Sequence, residues 1–258
     1  MFESIGVGVL ASLGAGAATG LGALPVLVSP DFRRKVQDRM LGFSAGVMLA
    51  ATCFSLVLPA LGLLLHDGQG PGGAVVKTGL GMLIGVLFVR LWHEVLPHAD
   101  PTQDLATRDT LSRRRVLLFV LAITLHNFPE GLAVGVSFAG PDARLGLPVA
   151  LGIGVHNILE GLVVAVALRG TGMSAGRSAF FALLTGLVEP LGGLLGASAV
   201  SLSTRLLPWG LTFAGGAMLY VVTRDVIPES RRNGFQREAT RSLMWGFAFA
   251  LALDISLG

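Results

Sequence analysis

Histidine, asparagine and glutamate recur in one fixed spacing at two places in the chain. The first is His126-Asn127-Phe128-Pro129-Glu130-Gly131-Leu132, and thirty residues later comes His156-Asn157-Ile158-Leu159-Glu160-Gly161-Leu162. On a helix, His and Glu at i and i+4, and Asn and Glu three residues apart, fall on one face. Each copy therefore presents an imidazole, an amide and a carboxylate as a compact cluster. Such a set binds metal ions. It contains no thiolate, and mixed imidazole and carboxylate suits zinc, iron, manganese or cobalt better than magnesium or copper(I). Zinc is the expected ion.

Both copies lie midway along apolar stretches, and a third carboxylate, Glu189 of Glu189-Pro190, lies midway along another. An ionised group at the centre of a membrane helix costs roughly 2.5–3.5 kcal/mol, so three left unpaired would cost on the order of 8–10 kcal/mol. No Lys or Arg occurs at that depth to neutralise them. Protonation, water or bound cations must compensate. Three carboxylates carry −3, which one divalent cation reduces to −1 and two convert to +1, so a two-metal centre sharing Glu ligands is electrostatically reasonable. Pro129 also denies the carbonyl of Leu125 its helical partner, next to His126, whereas Leu159 fills the corresponding place in the second copy.

The elements that must position these groups are membrane helices. Hydrophobic residues make up 52% of the 258, only 14% are charged, mean hydropathy is +0.72, and the 36 glycines are about twice the ordinary share, which excludes an ordinary soluble domain. Low-charge apolar stretches fall near 5–29, 40–65, 75–92, 116–137, 147–168, 178–202, 206–227 and 243–257. Each is read as a spanning helix, since a segment in hydrocarbon must satisfy its own backbone, and no ten-residue alternation suggests a barrel. The fold class is thus an all-α membrane protein, an eight-transmembrane-helix bundle forming a single domain over residues 1–258. A polar linker is expected over about 93–115.

Basic residues gather in alternate loops: Arg33, Arg34, Lys35 and Arg39 after span one, Arg108 and Arg113 to Arg115 after span three, Arg169 and Arg177 after span five, and Arg224, Arg231, Arg232, Arg237 and Arg241 after span seven. The positive-inside rule then places these loops in the cytoplasm and both termini outside the cell (inner) membrane. The first span has no positive leading flank and is expected to remain uncleaved. The net charge of +3 is small and no basic block reaches five residues, so no nucleic-acid partner is expected. The lone Cys53 leaves stability to helix packing, for which Gly16-x-x-x-Gly20, Gly81-x-x-x-Gly85 and Gly192-x-x-x-Gly196 supply close-approach motifs.

The paired His-Asn-x-x-Glu-Gly motifs in adjacent spans resemble those of the ZIP (Zrt/Irt-like) divalent-metal transporters, bacterial type, and the resemblance covers the whole chain. It implies 3+2+3 inverted pseudo-symmetry and movement of zinc toward the cytoplasm by alternating access through a binuclear centre. Iron, manganese, cobalt or cadmium are further implied substrates. The ion is then cargo and no cofactor is expected, in a fold compatible with a homodimer. The metal ligands it implies are His126, Asn127, Glu130, His156, Asn157, Glu160 and Glu189. Met48 matches a position near the site, or packs in the core. The family's second-motif proline is Leu159 here, and the histidine-rich loop of many members is reduced to His93 and His98.

Weaker candidates lie toward the ends of the pathway. Asp225, beside Arg224, is either an exit site or half of an interfacial ion pair, and His93, Glu94 and His98 form either an exit site or solvated loop charge. Asp38 and Asp254 either attract ions at the pathway mouths or are solvated at the interfaces, and Glu229 reads as ordinary loop charge. Two competing functions share the central site: an intramembrane metal hydrolase with a Glu general base, disfavoured by the lack of His-Glu-x-x-His, and a metal exporter or sensor.

Overall fold

The structure, a computed structural model, describes residues 2–29, 33–95, 108–140, 144 and 146–257. The described residues are almost wholly helical. Helix α1 (Phe2–Ala23) ends in a 3₁₀ turn, Leu24–Leu27. Helix α2 (Arg34–Ala50) continues through a π-helical segment, Ala51–Val57, into α3 (Leu58–His66). Then come α4 (Pro71–Val95), α5 (Arg108–Phe138), α6 (Gly146–Arg169), α7 (Ala175–Gly186) and α8 (Glu189–Leu202). The chain closes with α9 (Leu207–Val221), a second π-helical segment at Val222–Val226, α10 (Ile227–Glu229) and α11 (Gln236–Leu257). Six helical stretches among these are long and apolar enough to cross a membrane. Helix α11, with charges from Arg237 to Asp254, is not among them.

The helices depart from the sequence expectation at their ends. Residues 93–95 complete α4 and 108–115 open α5, so the expected linker is shorter than 93–115, and its central residues 96–107, with His98, lie outside the described residues. Arg, Gln and Glu are good helix formers, so helices extend into polar sequence beyond the apolar run that marks them. The stretch 178–202 is two helices, not one. Pro190 has no N–H to give a preceding turn but fits the first turn of a new helix, so the chain turns at Leu187 and Val188 and restarts at Glu189. Prolines also explain the π segments: Pro59 and Pro228 follow them, and each ring displaces the carbonyl four residues earlier, which the backbone accommodates by widening.

The outside of the bundle is apolar, with Leu80, Leu83 and Leu87 of α4, Leu191 and Leu195 of α8 and Phe180 of α7 exposed, while much of the polar chemistry is inside. That inversion suits lipid. Apolar residues such as Val134, Ile153, Leu211 and Met218 fill the interior around the polar groups.

Glycine contacts divide the helices into two groups. A Cβ built at Gly131 would stand 2.0 Å from the carbonyl oxygen of Glu189, and one at Gly161 would stand 1.9 Å from that of Thr19, so α5 lies directly against α8 and α6 against α1. Gly46 approaches Leu243 and Gly216 approaches Met82 to 2.0 Å in the same sense, pairing α2 with α11 and α4 with α9. Wherever such a Cβ would come within 3 Å of another helix's backbone, the pair lies within the set α1, α5, α6, α7, α8, or is α2 with α11, or α4 with α9. These last two pairs, grouped with α3 and α10 as the second set, meet through side chains, as where Gly215 of α9 faces Val57. Contacts between the sets run through side chains, as where Gly152 of α6 faces the Ala51 Cβ at 3.8 Å and Gly210 of α9 faces Val136. The three glycine motifs read from the sequence all lie at tight contacts: Gly16 against Gly186, Gly81 against Thr212 and Gly192 against Phe128.

Gly46→Ala should therefore force α2 from α11 and cost about 1–3 kcal/mol. Gly62→Ala, with open space around it, should be neutral or slightly stabilising. Thermal unfolding of the two variants in detergent separates them, and equal midpoints would contradict the close packing.

Asp38 corrects an expectation. It is fully buried, not solvated, and its carboxylate accepts hydrogen bonds from Asn233 Nδ2 at 2.7 Å and the Phe235 backbone N–H at 3.2 Å. It fastens the start of α2 to the turn before α11, and the Lys35–Glu238 ion pair at 2.8 Å reinforces the junction at the surface. Asp254 is not simply solvated either, because it accepts a 2.5 Å hydrogen bond from Ser55.

Candidate metal centre

The two repeated motifs meet where α5 packs on α6. His126 Nε2 lies 3.0 Å from Glu160 Oε1, and His156 Nε2 lies 3.2 Å from both Glu130 Oε1 and Glu160 Oε2. The imidazole centroids are 6.3 Å apart. One ligand atom from each of His126, Glu130, His156 and Glu160 can be chosen so that all four lie within 4.8 Å of one another, and all four residues are buried. These are two nitrogen and two oxygen donors converging on a space the size of an ion's coordination shell. Among the described residues, the ion pairs of Glu130 and Glu160 are with these two histidines.

The other three polar groups of the set stand beside this cluster. The break before α8 puts Glu189 at the first position of that helix, where the positive end of the helix dipole favours a carboxylate, and Gly131 lets α8 come close enough to place it there. Asn157 Nδ2 donates to Glu189 Oε1 at 2.6 Å and to the Ala15 carbonyl of α1 at 2.8 Å. This leaves Asn157 Oδ1, Glu189 Oε2 and both amide atoms of Asn127 buried without a hydrogen-bond partner. Buried polar atoms are normally paired, and several such oxygens and nitrogens gathered in one place suit binding of a cation. Glu189 is thus tied to Asn157 and not to the four-residue cluster.

A cavity of about 350 Å³ adjoins the cluster, lined by His126, His156 and Glu160 and also by Arg224, Asp225, Glu229 and Arg232. Asp225 lines this cavity and lies 3.9 Å from Arg224. Glu229 pairs with Arg232 at 3.0 Å, and both line the same cavity. Met48 is buried in the core, one helical turn beyond Ser44 on α2. His93 belongs to the last turn of α4, but its side chain lies outside the described residues.

Sequence reasoning missed two partners. Ser44, fully buried on α2, forms a short hydrogen bond between its Oγ and His156 Nδ1, and the Ala15 carbonyl orients Asn157. The spacing of Ser44 and Met48 at i and i+4 on a helix facing the motifs was the available signal for the first; a backbone carbonyl leaves none.

A family description for the ZIP zinc transporters matches residues 93–254. The zinc transporter GufA of Myxococcus xanthus is 57% identical over 98% of this chain and 100% of its own length. The zinc transporter ZIPB of Bordetella bronchiseptica is 44% identical over 98% of this chain and 82% of its own, and human zinc transporter ZIP11 is 33% identical over 93% and 94%.

Proposed function

This chain belongs to the ZIP zinc transporter family, and from that premise we propose that it carries zinc across the cell membrane toward the cytoplasm. Membership sets the hydrolase reading aside, and zinc or a related divalent cation is substrate, not cofactor. The observation that carries the proposal is the convergence of His126, Glu130, His156 and Glu160 around one buried space.

In the proposed mechanism the first ion binds the two imidazoles with Glu130 and Glu160. A second shares those carboxylates and takes Asn127, Asn157 and Glu189, whose unpartnered atoms support this role. Met48 flanks the first ion. Iron, manganese, cobalt and cadmium suit the same donors. All seven motif residues belong to helices of one packed group, while Ser44, Met48 and Asp225 belong to the other. Side-chain contacts give way more readily than backbone embraces, so the ion-bearing group slides against the other and exposes the site to each side in turn. The cavity past Asp225 is the inward route. The frame proposed for this movement is eight membrane crossings with 3+2+3 pseudo-symmetry, both termini outside, in a single domain of residues 1–258 that works alone or as a homodimer in the inner membrane.

Proteoliposomes loaded with a zinc-sensitive dye test the proposal. Zinc should enter down its gradient, the related cations should compete and magnesium should not. Repeating the series with opposed metal gradients and a pH gradient reports direction and proton coupling. Vesicles no more permeable to zinc than empty ones would overturn the proposal.

A further inference from the structure

His156 is the histidine that touches both carboxylates of the cluster, and its other ring nitrogen is also engaged. Ser44 Oγ, from α2, is hydrogen-bonded to His156 Nδ1, and both side chains are buried. An imidazole is free to turn about its Cβ–Cγ bond and to bind through either nitrogen, and a partner on one nitrogen fixes both the ring plane and the nitrogen left for the ion. Resting on the zinc-site reading above, we propose that Ser44 is a positioning residue of the metal centre: it holds His156 by Nδ1 so that Nε2 is the nitrogen presented to the ion.

With Nδ1 on Ser44, His156 Nε2 lies 3.2 Å from a carboxylate oxygen of each of Glu130 and Glu160, the position an ion shared with those carboxylates requires. An imidazole ligating through Nε2 carries its hydrogen on Nδ1, and the Ser44 oxygen is placed to accept it. Without an ion the same hydroxyl can instead donate to a bare Nδ1, so it serves the ring in either condition. An apolar residue at position 44 would leave Nδ1 buried without a partner. Ser44 also lies on the helix group that does not carry the motifs, so this hydrogen bond joins the two groups across the site.

The first test uses the unsubstituted protein. With ¹⁵N-labelled histidine and one equivalent of zinc, the His156 signals, identified by their loss in His156→Gln, should show Nε2 bound to the metal and Nδ1 carrying hydrogen. Metal on Nδ1 would overturn the proposal. The second is a double-mutant cycle on zinc affinity, measured by chelator competition in detergent. Ser44→Ala should weaken zinc binding on the order of 10-fold to 100-fold, the usual loss when a ligand's outer partner is removed. In a His156→Gln background the same substitution should have no further effect. An equal loss in both backgrounds, or no loss in the first, would show that Ser44 does not act through His156. Because these are binding and spectroscopic readings, absence of zinc flux would overturn the transport reading without deciding the role of Ser44.

Discussion

Glu160→Ala should reduce zinc affinity by at least about 10²-fold, close to 3 kcal/mol, and bring zinc uptake to the level of empty vesicles. Glu160 is singled out because its two oxygens reach both imidazoles, Oε1 to His126 at 3.0 Å and Oε2 to His156 at 3.2 Å. Removing it deletes one ligand and takes a partner from each imidazole; His156 keeps Glu130 and Ser44, and the His126 ring nitrogen is left beside a void. Glu160→Gln separates charge from shape. An amide fills the space and accepts hydrogen bonds, but it is a weak ligand and carries no charge. It should bind zinc nearly as poorly as the alanine variant while unfolding at a temperature close to that of the wild type. Calorimetric titration with zinc measures both variants. Wild-type affinity in Glu160→Gln would show that the carboxylate is not a ligand.

The second large effect concerns movement. A Cβ built at Gly152 stands 3.8 Å from the Cβ of Ala51, within the range a disulfide spans, and these two positions lie on α6 and on the π segment after α2, in different helix groups. In a Cys53→Ser background, which removes the native exposed thiol, Ala51→Cys with Gly152→Cys should form a disulfide on mild oxidation. The cross-link would fix the groups in one arrangement. Uptake should then fall at least about tenfold and return on reduction, since a carrier that must pass through two states cannot do so when held in one. Either cysteine alone should transport normally. Full uptake by the cross-linked protein would mean that ions pass without relative movement of α2 and α6.

How much of this was legible in the sequence depends on which force set each feature. The central cluster was legible because His126, Glu130, His156 and Glu160 are costly residues in apolar helices, and their shared spacing fixes one face of each helix. That the two faces meet follows from their equal depth on neighbouring helices. The membrane class was legible from composition. The break between α7 and α8 was signalled by Pro190, but its consequence was not: nothing local says that Glu189 will leave the four-residue cluster for Asn157. That choice depends on how closely α8 approaches at Gly131, a tertiary distance. The spacing of Ser44 from Met48 was a weak signal for a similar reason, since a serine in an apolar helix has several ways to satisfy its hydroxyl, often through its own backbone. Asp38 misled because a carboxylate near a span end is usually solvated, and the donors that bury it come from Asn233 and Phe235, almost two hundred residues away. The division into two packed groups was half legible. Glycine motifs announced close contacts but could not say which helices would be partners.

The central claim is that zinc crosses the membrane through the His and Glu cluster between α5 and α6. The most direct measurement is the initial rate of zinc entry into dye-loaded proteoliposomes for the wild type and Glu160→Gln, reconstituted at equal protein density and assayed side by side. The account predicts saturable zinc entry for the wild type and none above empty vesicles for Glu160→Gln. Equal rates for the two proteins would contradict it.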